Sequence, residues 1–504
     1  MKLLLTIGVL VACAATVVAG SVEPYVSPVQ YRPRVGRVGD TIPFYWKGEY
    51  HVFYLCAGRA EYYTFQGVPW AHVVSRDLIH WKELPDALTV GGPNDPDRVS
   101  CFTGSVIERN GTFHAFYTGW SGTESPHPNG REQIMHATSP DLITWTKHPR
   151  DTFNADGIHH QNKGGVDFRD PCVFGNEKER NYWMLLCARD AKTGDPVTGV
   201  AVSKDLASWE QVSPIVQKML PYAASGEGAE CPDLFKIGDI YYLLFSSCKT
   251  GVTAMRYSKD LHKEFIDPEP PIVERPAPLA SKRIWAGVEQ PEHGIHNLDT
   301  HCLYAAKRMF DGKRHVLVGW IGEKAGEKDY GGWVWGGTMS IPRELYQGPR
   351  GQLYVRPVPE ATKVFSHVVP NIAKKTTLEA GSQCNFDVPD NYMMECRIKM
   401  DPDAVLTVAM RQQAKPESNY YLLIRPSQKE IALGGSGFSL PRKCDLDTGK
   451  PIKVQAFVLG SIIECFVNDA YAFTCRAYDC RSGKLSLSVT GGRARVLELT
   501  VSTN

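Results

Sequence analysis

Fourteen cysteines stand among the 504 residues, yet no two form a C-x-x-C pair. Zinc-ribbon and thioredoxin-like readings are excluded by that absence. Charge of one sign is also lacking. Fifty-six basic residues face 55 acidic ones, with no basic tail or patch, so neither nucleic acid nor an anionic membrane surface is an expected partner. There is no G-x-S-x-G elbow for a serine hydrolase. Gly226-Glu-Gly-Ala-Glu-Cys231 matches neither phosphate-cradling loop. His159 and His160 stand without further ligands, so no metal is expected, and nothing in the sequence calls for a cofactor. Long helical periodicity is missing throughout. Past the first twenty residues no apolar run is long enough to cross a membrane.

What is present begins at the N-terminus. MKLLLTIGVLVACAATVVAG has one lysine and then an apolar run ending in small residues. Residues 1–20 therefore read as a secretory signal, cut near Ala19–Ser21, and the mature chain as secreted or periplasmic. Leu10-Val11-Ala12-Cys13 resembles a bacterial lipobox. Cleavage before Cys13 would leave a lipid-anchored surface protein instead. The rest of the chain is long enough for more than one domain, and its oligomeric state stays open. Export permits disulfides, and the group Cys384, Cys396, Cys444, Cys465, Cys475 and Cys480 is dense enough for one or two. Cys187 and Cys248 lie inside apolar runs and read as small buried hydrophobes.

The decisive pattern is a repeat. Ser75-Arg-Asp-Leu-Ile-His-Trp81, Ser139-Pro-Asp-Leu-Ile-Thr-Trp145 and Ser203-Lys-Asp-Leu-Ala-Ser-Trp209 share one motif, and Ser258-Lys-Asp-Leu261 begins a degraded copy. The copies are 64, 64 and 55 residues apart. Before each lies a strand rich in aromatic and aliphatic residues: Tyr50–Tyr54, Phe113–Tyr117, Tyr182–Leu186 and Tyr241–Phe245. A fifth such strand, Arg314–Trp320, has no motif after it. Units of this length, each holding several strands, predict a five-bladed β-propeller over residues 21–360. The motif itself reads as an outer turn, its Ser and Asp bonding backbone while Leu and Trp pack between blades. From 361 onward a linker and short alternating strands predict a C-terminal β-sandwich, making the protein all-β.

Blade alignment singles out three acids. Asp40 precedes Tyr50 by ten residues, Thr103 precedes Phe113 by ten, Asp170 precedes Tyr182 by twelve and Glu230 precedes Tyr241 by eleven. First strands of propeller blades line the central channel, so equivalent positions open at one mouth. Carboxylates gathered there raise one another's proton affinity. Glycosidic cleavage needs one carboxylic acid and one carboxylate, and aromatic residues, 10% of the chain, supply faces for sugar rings.

The motifs at these residues resemble glycoside hydrolase family 32, the invertase, inulinase and levanase group. Phe168-Arg-Asp-Pro171 is similar to its R-D-P motif, and Glu230-Cys-Pro-Asp-Leu-Phe235 to its E-C-P-D-L-F motif. Cys101-Phe-Thr-Gly-Ser105, Trp70-Ala-His72 and Trp335-Gly-Gly-Thr338 resemble further segments in order. The resemblance implies a retaining mechanism, with Asp40 as nucleophile and Glu230 as acid and base. It further implies that Asp170 and Arg169 hold sugar hydroxyls, while Trp70, Phe102, Thr103 and Trp335 line the sugar site. Arg169 beside Asp170 is expected to keep that carboxyl ionised. The likeness breaks around Asp40. The family's W-M-N-D-P-N-G is here Arg37-Val-Gly-Asp-Thr-Ile-Pro43, its Gln is Leu55, and its Trp before E-C-P is Ala229. Asn94-Asp95-Pro96 spells N-D-P but reads as a loop turn. Three readings stand at this point: a retaining fructosidase-like enzyme, an inverting enzyme like those of family 43 on arabinosides or xylosides, and a sugar-binding propeller without catalysis.

Overall fold

The computed structural model describes residues 25–504, apart from 59–65, 124–126, 129, 163–166, 216–228, 248–250, 264, 267–297, 301, 330–331, 373–374, 414–418 and 436. Residues 1–20, expected to be a secretory signal, and Cys13 and Cys248 lie outside the described residues. Blade 1 runs Arg37–Trp46, Glu49–Ala57, Trp70–Ser75 and Lys82–Leu88 as an antiparallel meander, and blades 2 and 3 repeat that plan from Ser100–Arg109 and Arg169–Asn176. Blade 4 holds Glu230–Ile237, Ile240–Ser247 and Val252–Ser258, with Ile266 bridging Tyr257 where a fourth strand would lie. Blade 5 pairs Leu303–Phe310 with His315–Lys324 and continues to Leu353–Pro357. The five innermost strands touch one another in ring order, the last against the first. A bridge between Val38 and Gly337 joins blade 5 to blade 1. The molecule is a five-bladed β-propeller followed by a β-sandwich.

The repeated turn owes its shape to its residue types. The Asp77 carboxylate accepts the Ser75 hydroxyl at 2.9 Å and the backbone N–H groups of Ile79 and His80 at 3.0 and 2.8 Å. Asp141 and Asp205 repeat the arrangement. In all three copies the following Leu has a left-handed backbone, φ 66, 65 and 68°, and a buried side chain. Burial of Leu78, Leu142 and Leu206 offsets that unfavourable backbone. The turn tryptophans then close the seams. Trp145 meets Phe53 of blade 1 edge-on at 5.9 Å, and Trp209 meets Phe116 of blade 2 at 5.3 Å.

A short helix, Pro359–Lys363, leads into the sandwich, whose two sheets have seven and six strands. Between propeller and sandwich sits a fully buried charge cluster. Arg343 reaches Asp299 at 2.5 Å and Glu464 at 2.6 Å, while Thr474 donates to Asp299 at 2.6 Å and Gln30 to Glu464 at 2.6 Å. Asp329 of blade 5 is held in the same way, by the Tyr420 hydroxyl and the Tyr478 backbone N–H, both from the sandwich.

The cysteines correct an expectation. All twelve described cysteines, the six of the C-terminal group among them, are free thiols. Cys465 and Cys475 lie on adjacent strands, but Cys465 pairs in register with Phe473 and Cys475 with Ile463. Their side chains fill the apolar interior, and burial pushes both thiols up.

Candidate active site

Each inner strand carries an irregularity at the same height. In blade 1, Gly39 and Asp40 together oppose Leu55, and in blade 3, Asp170 and Pro171 oppose Leu186. Blade 2 has Thr103 as its extra residue, blade 4 has Cys231-Pro232 opposite Phe245, and blade 5 has Ala305-Ala306 opposite Gly319. A bulge bends its strand and re-aims the side chains beside it. Three bulges hold non-glycine residues in the left-handed region: Asp170 at φ 60°, Cys231 at 50° and Ala305 at 46°. Such backbone persists only where surrounding contacts over-determine it, a common condition at functional sites. Gly39 is required by space, since a Cβ there would lie 2.8 Å from the Leu55 carbonyl oxygen and 3.0 Å from the Trp335 ring.

The three acids converge on Cys231. Its thiol lies 3.4 Å from Asp40 Oδ2, its backbone N–H donates to Asp170 Oδ2 at 3.0 Å, and Glu230 precedes it in the chain. Asp40 also accepts the Thr103 hydroxyl at 2.5 Å and the Trp320 indole N–H at 2.9 Å. Burial raises the proton affinity of Asp40 and Glu230 adds to it, while the three donors oppose the rise. Asp170 is 4% exposed, and its own backbone N–H is held by the Thr118 hydroxyl at 2.8 Å.

Arg169 is surrounded by acids. It donates to Glu230 Oε1 at 2.7 Å and to Asp167 at 2.6 Å, with Glu132 at 3.4 Å, but stands 3.8 Å from Asp170. The expectation that this guanidinium keeps Asp170 ionised is therefore corrected. Burial dominates, Arg169 only partly opposes it, Glu230 and Asp40 add to it, and the Asp170 carboxyl is pushed up to about 7. The best-aligned N–H groups of Arg169 serve Glu230 and Asp167 instead. Glu230 is gripped on its other oxygen by the Tyr304 hydroxyl.

Among the remaining predicted residues, Phe102 is half-buried and stacks on Trp120 at 5.5 Å. Trp335 is half-buried against Gly39, and its carbonyl accepts Arg37 Nε at 3.1 Å. Trp70 is placed differently from the expectation. It is fully buried and donates its indole N–H to the Phe102 carbonyl at 2.9 Å, so it supports the wall from behind and does not face a sugar. His159 and His160 are engaged by Asp156 and Gln211, and no metal-binding cluster occurs among the described residues. Asn94-Asp95-Pro96 is a turn, with Asp95 accepting the Gly92 N–H at 2.7 Å. Sequence reading missed Tyr304, Trp320 and the Cys231 thiol. A signal for Tyr304 existed: it precedes His315, in the fifth strand, by eleven residues, the same offset that picks out Glu230.

An acid hydrogen-bonded to an arginine and a tyrosine, facing a second carboxylate held by three donors, is a pair suited to glycosidic cleavage. Residues 40–357 match the family model described as glycosyl hydrolases family 32 N-terminal domain. The chain belongs to glycoside hydrolase family 32. It is similar to a sucrose-6-phosphate hydrolase of Escherichia coli, 28% identical over 452 residues covering 87% of this chain and 86% of that one. It is likewise similar to a raffinose invertase of Escherichia coli, 28% identical over 478 residues, with 91% and 90% covered. Among solved structures, fructan 1-exohydrolase IIa from Cichorium intybus superposes with a TM-score of 0.73 at 18% identity, covering 95% of this chain and 97% of that one. The family 32 protein is thus a glycoside hydrolase, and the inverting and catalytically inactive readings are not favoured.

Proposed function

We propose that this enzyme removes terminal β-fructofuranosyl units from sucrose-like sugars and fructans by a retaining double displacement. The carrying observation is that Asp40 and Asp170, in the bulges of blades 1 and 3, and Glu230, just before the bulge of blade 4, meet around Cys231 in a family 32 chain. Asp40 attacks the anomeric carbon while Glu230 gives its proton to the departing oxygen. The resulting fructosyl–aspartate ester is then opened by water, whose proton Glu230 takes back. Asp170, with Arg169 behind Glu230, faces the sugar hydroxyls. Leu55 and Ala229 are buried and apolar, so they offer no hydroxyl contact where the family pattern has Gln and Trp. Sugar recognition therefore falls more heavily on Asp170 and Arg169.

The proposal is tested with Glu230→Gln and Asp40→Asn on sucrose, raffinose and inulin-type oligosaccharides. Loss of general acid catalysis lowers kcat by about 10²–10⁴-fold. Glu230→Gln with an activated fructoside should accumulate an adduct on Asp40, seen by peptide mass. Proton NMR of the first-formed anomer should show retention; initial inversion would sink the mechanism. We further propose export, supported by the apolar N-terminal run. N-terminal sequencing of the mature protein discriminates cleavage near Ser21 from a lipidated Cys13.

A further inference from the structure

A cavity of about 1110 Å³ opens between the N-terminal segment, the outer edge of blade 1 and the sandwich. Its walls carry three aromatic rings, Tyr25, Tyr31 and Trp81. Six cations line it: Arg32, Arg34, Arg37, Lys82, Arg476 and Arg481. Among the described residues two carboxylates pair with them. Arg32 and Arg476 share Glu323 at 3.0 and 3.8 Å, and Arg481 meets Glu327 at 3.1 Å. Glu83 accepts the Tyr31 hydroxyl and the Arg34 backbone N–H, at 3.1 and 3.4 Å, and no cation. The exposed side chains of Arg34 and Lys82 have no ion-pair partner among the described residues. A chain with a net charge of +1 therefore places two unpaired cations, Arg34 and Lys82, among the described residues of one aromatic-walled cleft.

The cleft touches the catalytic wall. Arg37 in its floor donates to the Trp335 carbonyl, and the Trp335 ring covers Gly39 beside Asp40. Aromatic faces take sugar rings, and guanidinium and ammonium groups take carboxylate, sulfate or phosphate oxygens. The geometry points to this cleft as a second carbohydrate site, selective for sugars that carry negative charge, with Arg34 and Lys82 as the residues that meet the anion. It rests on the carbohydrate reading of the catalytic mouth but not on the identity of the sugar cleaved there.

Binding is measured by calorimetry on full-length Glu230→Gln protein. The probes are a sulfated inulin-type oligosaccharide, an oligogalacturonide and the same inulin-type oligosaccharide without sulfate. Both anionic probes should bind, and the Arg34→Ser/Lys82→Ser double variant should bind them about tenfold more weakly. Raising salt from about 0.05 to about 0.3 M should weaken them too. The neutral probe should be indifferent to both changes. If sulfated sugar alone binds, the anion is sulfate; if uronate alone binds, it is carboxylate, and the site stands in either case. Equal binding of all three probes, unchanged affinity in the double variant, or no binding of either anionic probe overturns it. Turnover of neutral fructosides by wild type and by the double variant tests the hydrolase reading separately, and the two proteins should match.

Discussion

At the scale of single residues, Cys231 does what no carboxylate can do for its neighbours. Its amide and thiol satisfy one oxygen each of Asp170 and Asp40 from a single strained position, φ 50°. Asp170 is the least comfortable of the acids, buried with one backbone donor and a distant guanidinium. Its carboxyl, raised to about 7, binds a proton in the folded chain at pH values where the unfolded chain has released it. Native stability is therefore full below about pH 4 for this group and falls as pH rises toward 7. Asp170→Asn removes that dependence. Denaturant unfolding should show the variant gaining on wild type between pH 4 and pH 7, by on the order of 2 kcal/mol. A constant difference across that range would contradict the assignment. The same variant should lose most of its activity if Asp170 acts on the sugar as proposed, since an amide cannot take up the carboxylate form.

At the scale of elements, the inner-strand bulge is the unit that makes the site. Five strands bulge at one height, so side chains ten to twelve residues before each second strand turn to one axis. Gly104 shows how tightly the second bulge is built. A Cβ there would lie 1.9 Å from the Phe116 carbonyl oxygen. Gly104→Ala must shift the strand that carries Thr103, and with it the hydroxyl donated to Asp40. The expected outcome is about 2–3 kcal/mol of lost stability together with a fall in kcat larger than any change in KM. Wild-type kcat in the folded variant would show that the bulge does not position Asp40 for catalysis. The S-x-D-L-x-x-W motif acts at this scale too, and its role was legible from repetition alone. Chemistry needs a unique place, whereas a turn present in several blades serves packing.

At the scale of the whole molecule, the sandwich is bonded to the propeller through charge as well as apolar contact. Arg343 lies between Asp299 and Glu464 with all three side chains fully buried. Removing Arg343 leaves two buried carboxylates without their cation. Arg343→Met should cost about 3–5 kcal/mol and lower the thermal midpoint, while kcat at 25 °C in the folded fraction stays near wild type. A midpoint equal to wild type would show that the cluster does not brace the two parts.

Blade number, the all-β class and the positions of Asp40, Asp170 and Glu230 were readable because a repeat copies geometry into spacing. Tyr304 escaped because blade 5 lacks the turn motif that anchors the count. Trp70 was read as a sugar contact since a motif records order in the chain but not which way a ring faces; burial decides that. The cysteines were misread for a related reason, as density along the chain says nothing of register across a sheet. What the sequence by itself determined, then, is which residues share a height on the propeller. Local periodicity carries that information. Only the tertiary structure decided how the acids divide their partners, with Arg169 given to Glu230 and burial left to govern Asp170, because distance and desolvation arise only once distant blades close into a ring.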